Sequence, residues 1–163
     1  MTHPTLSLLQ QMPIFGGIGD EALTLLLEHT REITIKSGDY FFREGDRAVS
    51  MFVLESGRVA ILKSWQGQDY LLSHLEMGDC FGEMALIDLS PRSASVQAVV
   101  DCKALELTTA NLYELYQKDS TSFAMIHMNL ERELSRRLRE SNEQLFHARM
   151  QAHLLDEGLQ TMC

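Results

Sequence analysis

The residues best suited to chemistry lie close together in one stretch of the chain, residues 81–96. Gly82 has no side chain, so a ligand can approach its backbone closely. Glu83 follows it, and an ionised carboxylate only accepts hydrogen bonds, which suits a hydroxyl group and repels a phosphate. Arg92 can meet a phosphate with two parallel N–H donors. An acid and an arginine on one short loop therefore predict a ligand that carries both an alcohol and a phosphate.

The residues between Glu83 and Arg92 must hold these two side chains in place. We predict a short helix after Gly82, whose first N–H groups face an anion. The alternative interpretation is a surface turn in which Glu83 and Arg92 form a structural pair. Only the first of these makes the stretch a binding site.

The composition and charge of the chain restrict its partners and its compartment. The 163 residues suit one domain with an appendage. No run approaches the ~20 consecutive apolar residues that a membrane helix needs, and no secretory signal is evident at the N-terminus. A net charge of −9 argues against direct nucleic-acid binding, because that binding depends on neutralising phosphates. We therefore expect a cytoplasmic protein that binds neither nucleic acid nor membranes.

The cysteines and histidines show no spacing typical of a metal site. Cys80, Cys102 and Cys163 include no Cys-x-x-Cys pair, and their odd number argues against a disulfide framework. The histidines form no His-x₃-His pair. No Ser–His–Asp or Cys–His arrangement is anchored to a motif. We therefore predict no metal, no cofactor and no enzymatic activity.

The elements that must position the stretch are short strands with helices on both sides. Residues 33–108 contain short apolar runs separated by glycines at turns: Gly38, Gly45, Gly57 and Gly78. Short strands with close turn signals predict an all-β barrel or sandwich. Residues 1–32 are predicted to form an N-terminal helical segment. Residues 109–163 are predicted to form the C-terminal helices, with a cap at Thr109 and a break or second cap at residues 118–122.

A long helix is predicted from Phe123 to about Leu155, where no proline or glycine occurs, and Gly158 is its predicted end. Its apolar residues recur at alternating intervals of four and three, as in a coiled-coil seam. The seam consists of Leu134, Leu138, Ser141, Leu145, Ala148, Ala152 and Leu155. About 20 helical residues extend about 30 Å, more than a small β-domain covers. We therefore predict a parallel homodimer through this helix.

Residues 81–94 closely resemble the phosphate-binding cassette of cyclic-nucleotide-binding domains. The family pattern is roughly Phe-Gly-Glu-x-Ala-Leu, a few loop residues, and then Pro-Arg-Ser/Thr-Ala. The matching residues are Phe81, Gly82, Glu83, Ala85, Leu86, Pro91, Arg92, Ser93 and Ala94. The resemblance covers roughly residues 6–140 and points to the bacterial catabolite-activator (Crp/Fnr-like) superfamily. We expect this chain to carry no helix-turn-helix module.

The resemblance implies an α+β fold. Its centre would be an eight-stranded antiparallel β-roll, a jelly-roll-like double-stranded β-helix. N-terminal helices would pack at one end, and a long C-terminal dimerisation helix would follow the roll.

The resemblance also implies a role for each residue of the cassette. Glu83 would hold the ribose 2′-hydroxyl, and Arg92 would pair with the cyclic phosphate. Ser93 would donate its hydroxyl and its N–H. Further backbone donors would come from Gly82, Met84 and Ala85. Three apolar residues are candidates for the wall of the pocket, although a core role is favoured for each: Val59, Leu62 and Leu72.

The polar interruption of the seam, Ser141 followed by Asn142, has two interpretations. In the catabolite-activator branch a Thr-Ser pair on the dimer helix reaches the adenine, one residue from each subunit. Residues 134–138 resemble the run before that pair, so Ser141 and Asn142 fall at the matching positions. This implies a base contact. The alternative is that the polar residues set the register of the helices or are solvated.

The function that the resemblance implies is sensing. We expect a stand-alone sensor of cAMP, with cGMP as the alternative, since bacterial activators that bind cAMP commonly carry Ser after the cassette arginine, as Ser93 does here. The dimer helix would be its output to an unidentified protein partner. Two other interpretations stay open: a truncated or separated sensor module of a Crp/Fnr-type transcription regulator, and the same fold sensing a different small effector.

Overall fold

The computed structural model describes residues 6–160, which form eight strands and five α-helices. All paired strands are antiparallel. The strands are β1 (Arg31–Ile35), β2 (Tyr40–Phe42), β3 (Ser50–Ser56), β4 (Arg58–Trp65), β5 (Gln68–Glu76), β6 (Cys80–Phe81), β7 (Ser95–Ala98) and β8 (Cys102–Thr108). One sheet has the order β1-β8-β3-β6 and the other β2-β7-β4-β5. The predicted eight-stranded antiparallel α+β fold is therefore confirmed.

Helices precede and follow the strands, and one short helix lies between β6 and β7. They are α1 (Leu6–Gln10), α2 (Asp20–His29), α3 (Met84–Ile87), α4 (Thr109–Lys118) and α5 (Ser120–Gln160), with a 3-10 turn at Pro13–Phe15. α2 and α4 pack together. The side-chain amide of Asn111 donates to the carbonyl of His29, which is 2.8 Å away and 82 residues earlier. The helical segments before and after the strands are thus joined.

Apolar side chains from both sheets meet in one core. Its buried members are Phe52, Leu54, Val59, Phe81, Val96, Ala98, Cys102 and Ala104. Two partly buried phenylalanines, Phe41 and Phe42, pack against them. The ring centroids of Phe41 and Phe81 are 4.9 Å apart, with the rings edge to face. Such pairs are worth about 0.5–1.5 kcal/mol beyond their burial. This aromatic cluster supports the start of the cassette.

The turn between β4 and β5 has two consecutive residues in the left-handed region. Gln66 and Gly67 have φ angles of 51° and 77°, as in the type I′ turn that suits a two-residue hairpin. β5 is an edge strand, and its residues are mostly exposed. Leu72 on β5 is 56% exposed. The core role favoured for Leu72 is therefore wrong, because this part of the edge strand faces solvent.

Side-chain hydrogen bonds cap the N-termini of the two C-terminal helices, α4 and α5. The Thr108 hydroxyl accepts a hydrogen bond from the N–H of Asn111 (3.2 Å), whose side chain accepts one from the N–H of Thr108 (2.9 Å). This reciprocal pair satisfies both N–H groups, so α4 is capped one residue before the predicted cap, Thr109. The predicted break before the long helix is confirmed at Asp119. Its carboxylate accepts from the N–H and hydroxyl of Ser122, at 3.0 and 2.7 Å.

α5 continues to Gln160 and passes through Gly158, where the sequence predicted its end. An isolated glycine costs a helix about 1 kcal/mol relative to alanine but does not break it. No helix within residues 6–160 combines the length and the apolar character needed to cross a bilayer.

The described residues divide after Asn129 into two compact units. In the first unit, the buried side chain of Asn129 donates to the carbonyl oxygens of Ile14 and Gly16, at 3.0 and 2.9 Å. These bonds join the start of α5 to the N-terminal segment. The second unit is the remainder of α5. Its seam includes leucines that are exposed in the single chain: Leu138 (62%), Leu145 (51%) and Leu155 (70%).

Candidate functional site

The backbone of the cassette turns sharply at Gly82, which lies between β6 and α3. Gly82 has a φ of 75°, a conformation that other residues rarely adopt. A Cβ at this position would lie 2.6 Å from Nη1 of Arg92 and 3.3 Å from the ring of Phe42. Glycine is thus favoured here both by the backbone conformation and by the close approach of Arg92. Glu83 follows as the N-cap of α3, so the predicted short helix after Gly82 is confirmed.

Arg92 is buried, with 7% of its surface exposed. Its Nη1 donates to the carbonyl of Gly82 at 3.1 Å, and its Nη2 donates to the carbonyl of Ser50 at 2.7 Å. The guanidinium carbon lies 3.9 Å from the centre of the Phe42 ring, within the range of a cation–π contact. The third donor, Nε, is buried and has no hydrogen-bond partner among residues 6–160. Arg92 is therefore held in place by two hydrogen bonds, while its Nε–H has no partner within the described residues.

Nearby acids offset only part of the effect that burial has on the pKa of Arg92. Burial lowers the pKa of Arg92, while the acids Asp46, Glu106 and Glu83 raise it. Arginine stays protonated in proteins, so the guanidinium is a positive charge largely removed from water. Such a charge favours an anionic ligand.

Glu83 is the second buried ionisable residue of the cassette, with 5% of its surface exposed. It lies close enough to Arg92 to raise the pKa of the guanidinium. However, the two hydrogen bonds from Arg92 go to the carbonyls of Gly82 and Ser50. The structure thus brings Glu83 and Arg92 together, as the sequence predicted, without a hydrogen bond from one to the other.

Ser93 and Met84 lie at the surface of the cassette. The side chain of Ser93 is exposed, and its hydroxyl lies 4.0 Å from the sulfur of Met84, which is 48% exposed. The N–H groups of Met84 and Ala85 belong to the first turn of α3, where helical N–H groups have no partner within the helix. Five predicted site residues therefore meet at one place, and the backbone of the sixth, Ala85, lies beside them.

Sequence reasoning missed the turn between β2 and β3 as part of this site. The N–H of Gly45 donates to the carbonyl of Arg92 at 2.8 Å, and the N–H of Arg92 donates to the carbonyl of Asp46 at 2.9 Å. Ser50 and Phe42, which contact the guanidinium, were missed as well. Of these residues, the sequence predicted only Gly45, as a turn glycine. The separation of 42 residues between Ser50 and Arg92 leaves no local pattern from which their contact could have been found.

The remaining predicted residues lie outside the cassette. Ser141 and Asn142 are exposed residues of α5 in the second unit, so their contact with a base stays a prediction. Val59 is fully buried in the core, as favoured, and Leu62 is partly exposed. Within residues 6–160 no group of three or more His, Cys, Asp or Glu side chains is arranged to hold a metal.

Comparison with known proteins places these features in a family. The model of the family described as "Cyclic nucleotide-binding domain" matches residues 32–119. The cyclic AMP receptor protein of Thermus thermophilus is 32% identical over 134 residues, which are 82% of this chain and 60% of that protein. The cGMP-dependent protein kinase of Toxoplasma gondii is 36% identical over 92 residues, which are 56% of this chain and 9% of that protein.

A solved structure shows the same arrangement of elements. The crystal structure of Thermus thermophilus catabolite activator protein matches with a TM-score of 0.71 and 32% identity, over 82% of this chain and 61% of that chain. The alignments thus span at most about 60% of these relatives. The matched residues 32–119 contain the cassette and every strand residue except Arg31. The chain therefore belongs to the cyclic nucleotide-binding domain family, with homologues among the catabolite activators.

Proposed function

We propose that this protein is a cyclic-nucleotide sensor whose cassette binds the ligand. Arg92 pairs with the cyclic phosphate, and Glu83 accepts a hydrogen bond from the ribose 2′-hydroxyl. Ser93 and the backbone N–H groups at Gly82, Met84 and Ala85 supply further donors. The observation that carries this proposal is the buried guanidinium of Arg92, fixed by two carbonyls with Nε unused.

The geometry of Arg92 favours an anion for two reasons. A buried N–H without a partner costs about 1–3 kcal/mol, and a phosphate oxygen would relieve that cost. The guanidinium is also held in one orientation before the ligand arrives, which reduces the entropy lost on binding. Glu83 repels a phosphate and accepts a hydrogen bond from a hydroxyl. Arg92 would therefore bind the phosphate of a sugar phosphate, and Glu83 would bind a sugar hydroxyl.

We further propose cAMP as the ligand, with cGMP as the alternative. The names of the two relatives refer to different nucleotides, since one is a cyclic AMP receptor protein and the other a cGMP-dependent protein kinase. Ser93 after the arginine favours cAMP, by its resemblance to bacterial activators. Titration calorimetry with each nucleotide on the full chain is expected to show tighter binding of cAMP. Tighter binding of cGMP would contradict the choice of ligand, and binding of neither would contradict the proposed function.

The output of the sensor is proposed to be a homodimer formed through the α5 seam. Leu145→Glu is expected to raise the dimer dissociation constant by at least about 100-fold, because two seam leucines worth about 1.5–3 kcal/mol each are lost from one dimer. Analytical ultracentrifugation at micromolar concentration measures this change.

Leu154→Glu is the matched control for the dimer prediction. Nine helical residues correspond to about 900° of rotation, so Leu154 lies on the opposite face from Leu145. Leu154 is 66% exposed, compared with 51% for Leu145. We expect this variant to remain dimeric. A monomeric wild type at micromolar concentration, or equal effects of the two substitutions, would contradict a dimer through the seam.

We also propose that the sensor acts on a protein partner rather than directly on DNA, since the net charge of −9 opposes contact with phosphates. Ser141 and Asn142 either contact the base or set the register of the seam. The alternatives are a sensor module of a Crp/Fnr-type transcription regulator and the same fold with another small effector. A gel shift with and without cAMP tests direct DNA binding, and no shift is expected.

A further inference from the structure

Lys63 lies on β4, outside the cassette in sequence, yet its ammonium group contacts the cassette directly. Nζ donates to the carbonyl of Ser93 at 2.7 Å, and it also donates to the carboxylate of Glu44. Ser93 comes directly after Arg92, the residue predicted to bind the phosphate, so this bond holds the peptide between Ser93 and Ala94. A side chain 30 residues away along the chain is thus hydrogen-bonded to the cassette backbone.

Glu44 is itself held firmly in the turn between β2 and β3. One carboxylate oxygen accepts from Lys63, and the other accepts from the N–H of Ser64 at 3.0 Å. The N–H of Glu44 donates to the hydroxyl of Ser95 at 2.8 Å. The hydrogen bond from Lys63 is the main cause that lowers the pKa of Glu44, so the carboxylate stays ionised and the pair keeps its charge at neutral pH.

The same turn also holds the cassette through its backbone. Gly45 donates to the carbonyl of Arg92 at 2.8 Å, and Arg92 donates to the carbonyl of Asp46 at 2.9 Å. Lys63 then holds the next carbonyl, that of Ser93. We call Glu44, Gly45, Asp46 and Lys63 the cassette clamp. Consecutive peptide groups of the cassette are thereby fixed by residues that do not belong to it.

We propose that Lys63, oriented by Glu44, is a positioning residue for nucleotide binding. Its bond to the Ser93 carbonyl fixes the peptide that follows Ser93, while Gly45 holds the peptide that follows Arg92, so the guanidinium of Arg92 and the hydroxyl of Ser93 reach the phosphate together. This inference rests on the proposed function. Ordering a backbone costs conformational entropy, and a clamp that orders it in the free protein removes that cost from the binding step.

A positioning role predicts an effect on binding that is out of proportion to the effect on stability. The side chains of Lys63 and Glu44 are 49% and 29% exposed, and ion pairs at the surface contribute little to folding. We therefore expect Lys63→Met to weaken cAMP binding by about tenfold, as for the loss of one charged hydrogen bond. The unfolding midpoint in urea should remain close to that of the wild type. A residue that served only stability would change both quantities or neither.

The experiment measures cAMP affinity by calorimetry and stability by urea unfolding for Lys63→Met, Lys63→Arg, Glu44→Gln and the double variant K63M/E44Q. Lys63→Arg keeps the charge and the donors, so it should bind more tightly than Lys63→Met. Since both residues act through the Ser93 carbonyl, the double variant should bind about as weakly as Lys63→Met alone. The control is Lys103→Met, because Lys103 has a similar exposure of 56% and pairs with Glu32 at 3.7 Å in the other sheet.

The outcomes separate this inference from the proposed function. If the wild type binds cAMP and Arg92→Ala does not, the function stands. If Lys63→Met then binds within about twofold of the wild type, the positioning role is overturned by itself. Equal weakening by Lys63→Met and Lys103→Met also overturns it. If the wild type binds neither cAMP nor cGMP, the proposed function and the positioning role fail together.

Discussion

Arg92→Ala is expected to reduce the affinity for cyclic nucleotide by roughly 30-fold to several thousand-fold. This range corresponds to the ~2–5 kcal/mol lost when one member of a buried charge pair is removed. The phosphate would enter a site with 93% of the Arg92 surface removed from water, where no guanidinium then balances its charge. Calorimetry with cAMP measures the loss.

Folding of Arg92→Ala must be measured alongside its binding, because Arg92 also supports the cassette. Its removal takes a donor from the buried carbonyl of Ser50, at about 1–3 kcal/mol if that group is left unpaired, and another from the partly buried carbonyl of Gly82. Arg92→Lys keeps a positive charge without the two-pronged geometry, and it should bind with intermediate affinity. Arg58→Ala, which removes a surface arginine with 47% exposure, should bind as the wild type does. Wild-type affinity in a folded Arg92→Ala protein would show that the site is assigned wrongly.

Gly82→Ala is expected to lower the free energy of unfolding by about 2–4 kcal/mol and to weaken nucleotide binding as well. The φ of 75° costs a non-glycine residue about 1–2 kcal/mol. The added Cβ would also lie 2.6 Å from Nη1 of Arg92. The guanidinium cannot move away freely, because the carbonyl of Ser50 and the ring of Phe42 hold it. Urea unfolding and calorimetry measure the two effects.

Gly78→Ala separates the two causes, conformation and space. Gly78 has a φ of 92°, but nothing lies within 4 Å of a Cβ placed there. This variant should therefore show only the conformational cost of about 1–2 kcal/mol, with the affinity for cAMP unchanged. If Gly82→Ala and Gly78→Ala lost equal stability, or if Gly82→Ala bound cAMP as the wild type does, the close approach of Gly82 to Arg92 would not be needed for stability or binding.

Much of this architecture follows from local patterns in the sequence. Short apolar runs ended by glycines predicted the strands, because a strand has a two-residue period and needs a turn at each end. Residues 118–122 predicted a break or second cap before α5, because such residues include side chains that can accept from the first N–H groups of a helix. Glu83 and Arg92 indicated a sugar phosphate through side-chain chemistry alone. These features depend on neighbours within a few residues.

Local patterns were less reliable for the exact ends of helices and for the burial of single residues. Thr109 was the predicted cap of α4, but the reciprocal bonds with Asn111 favour Thr108. Gly158 was the predicted end of α5, but a single glycine does not break a long helix. Leu72 was expected in the core, but it lies on the edge strand and is 56% exposed. In each case the sequence located the helix end or the strand approximately, and contacts with neighbouring residues decided its exact end or its burial.

By itself, the sequence predicted short strands with flanking helices and the chemistry of Glu83 and Arg92, because these depend on residue type and short spacing, while the resemblance of the cassette implied the α+β fold. Only the tertiary structure decided how Arg92 is held. Its partners Ser50 and Phe42 and the clamp residue Lys63 come from strands that lie beside the cassette only after the sheets have formed. Contacts between residues 30 to 50 positions apart leave no periodic signal in the chain. The residues of the candidate site could therefore be predicted from the sequence, whereas the residues that contact Arg92 and Ser93 from other strands could not.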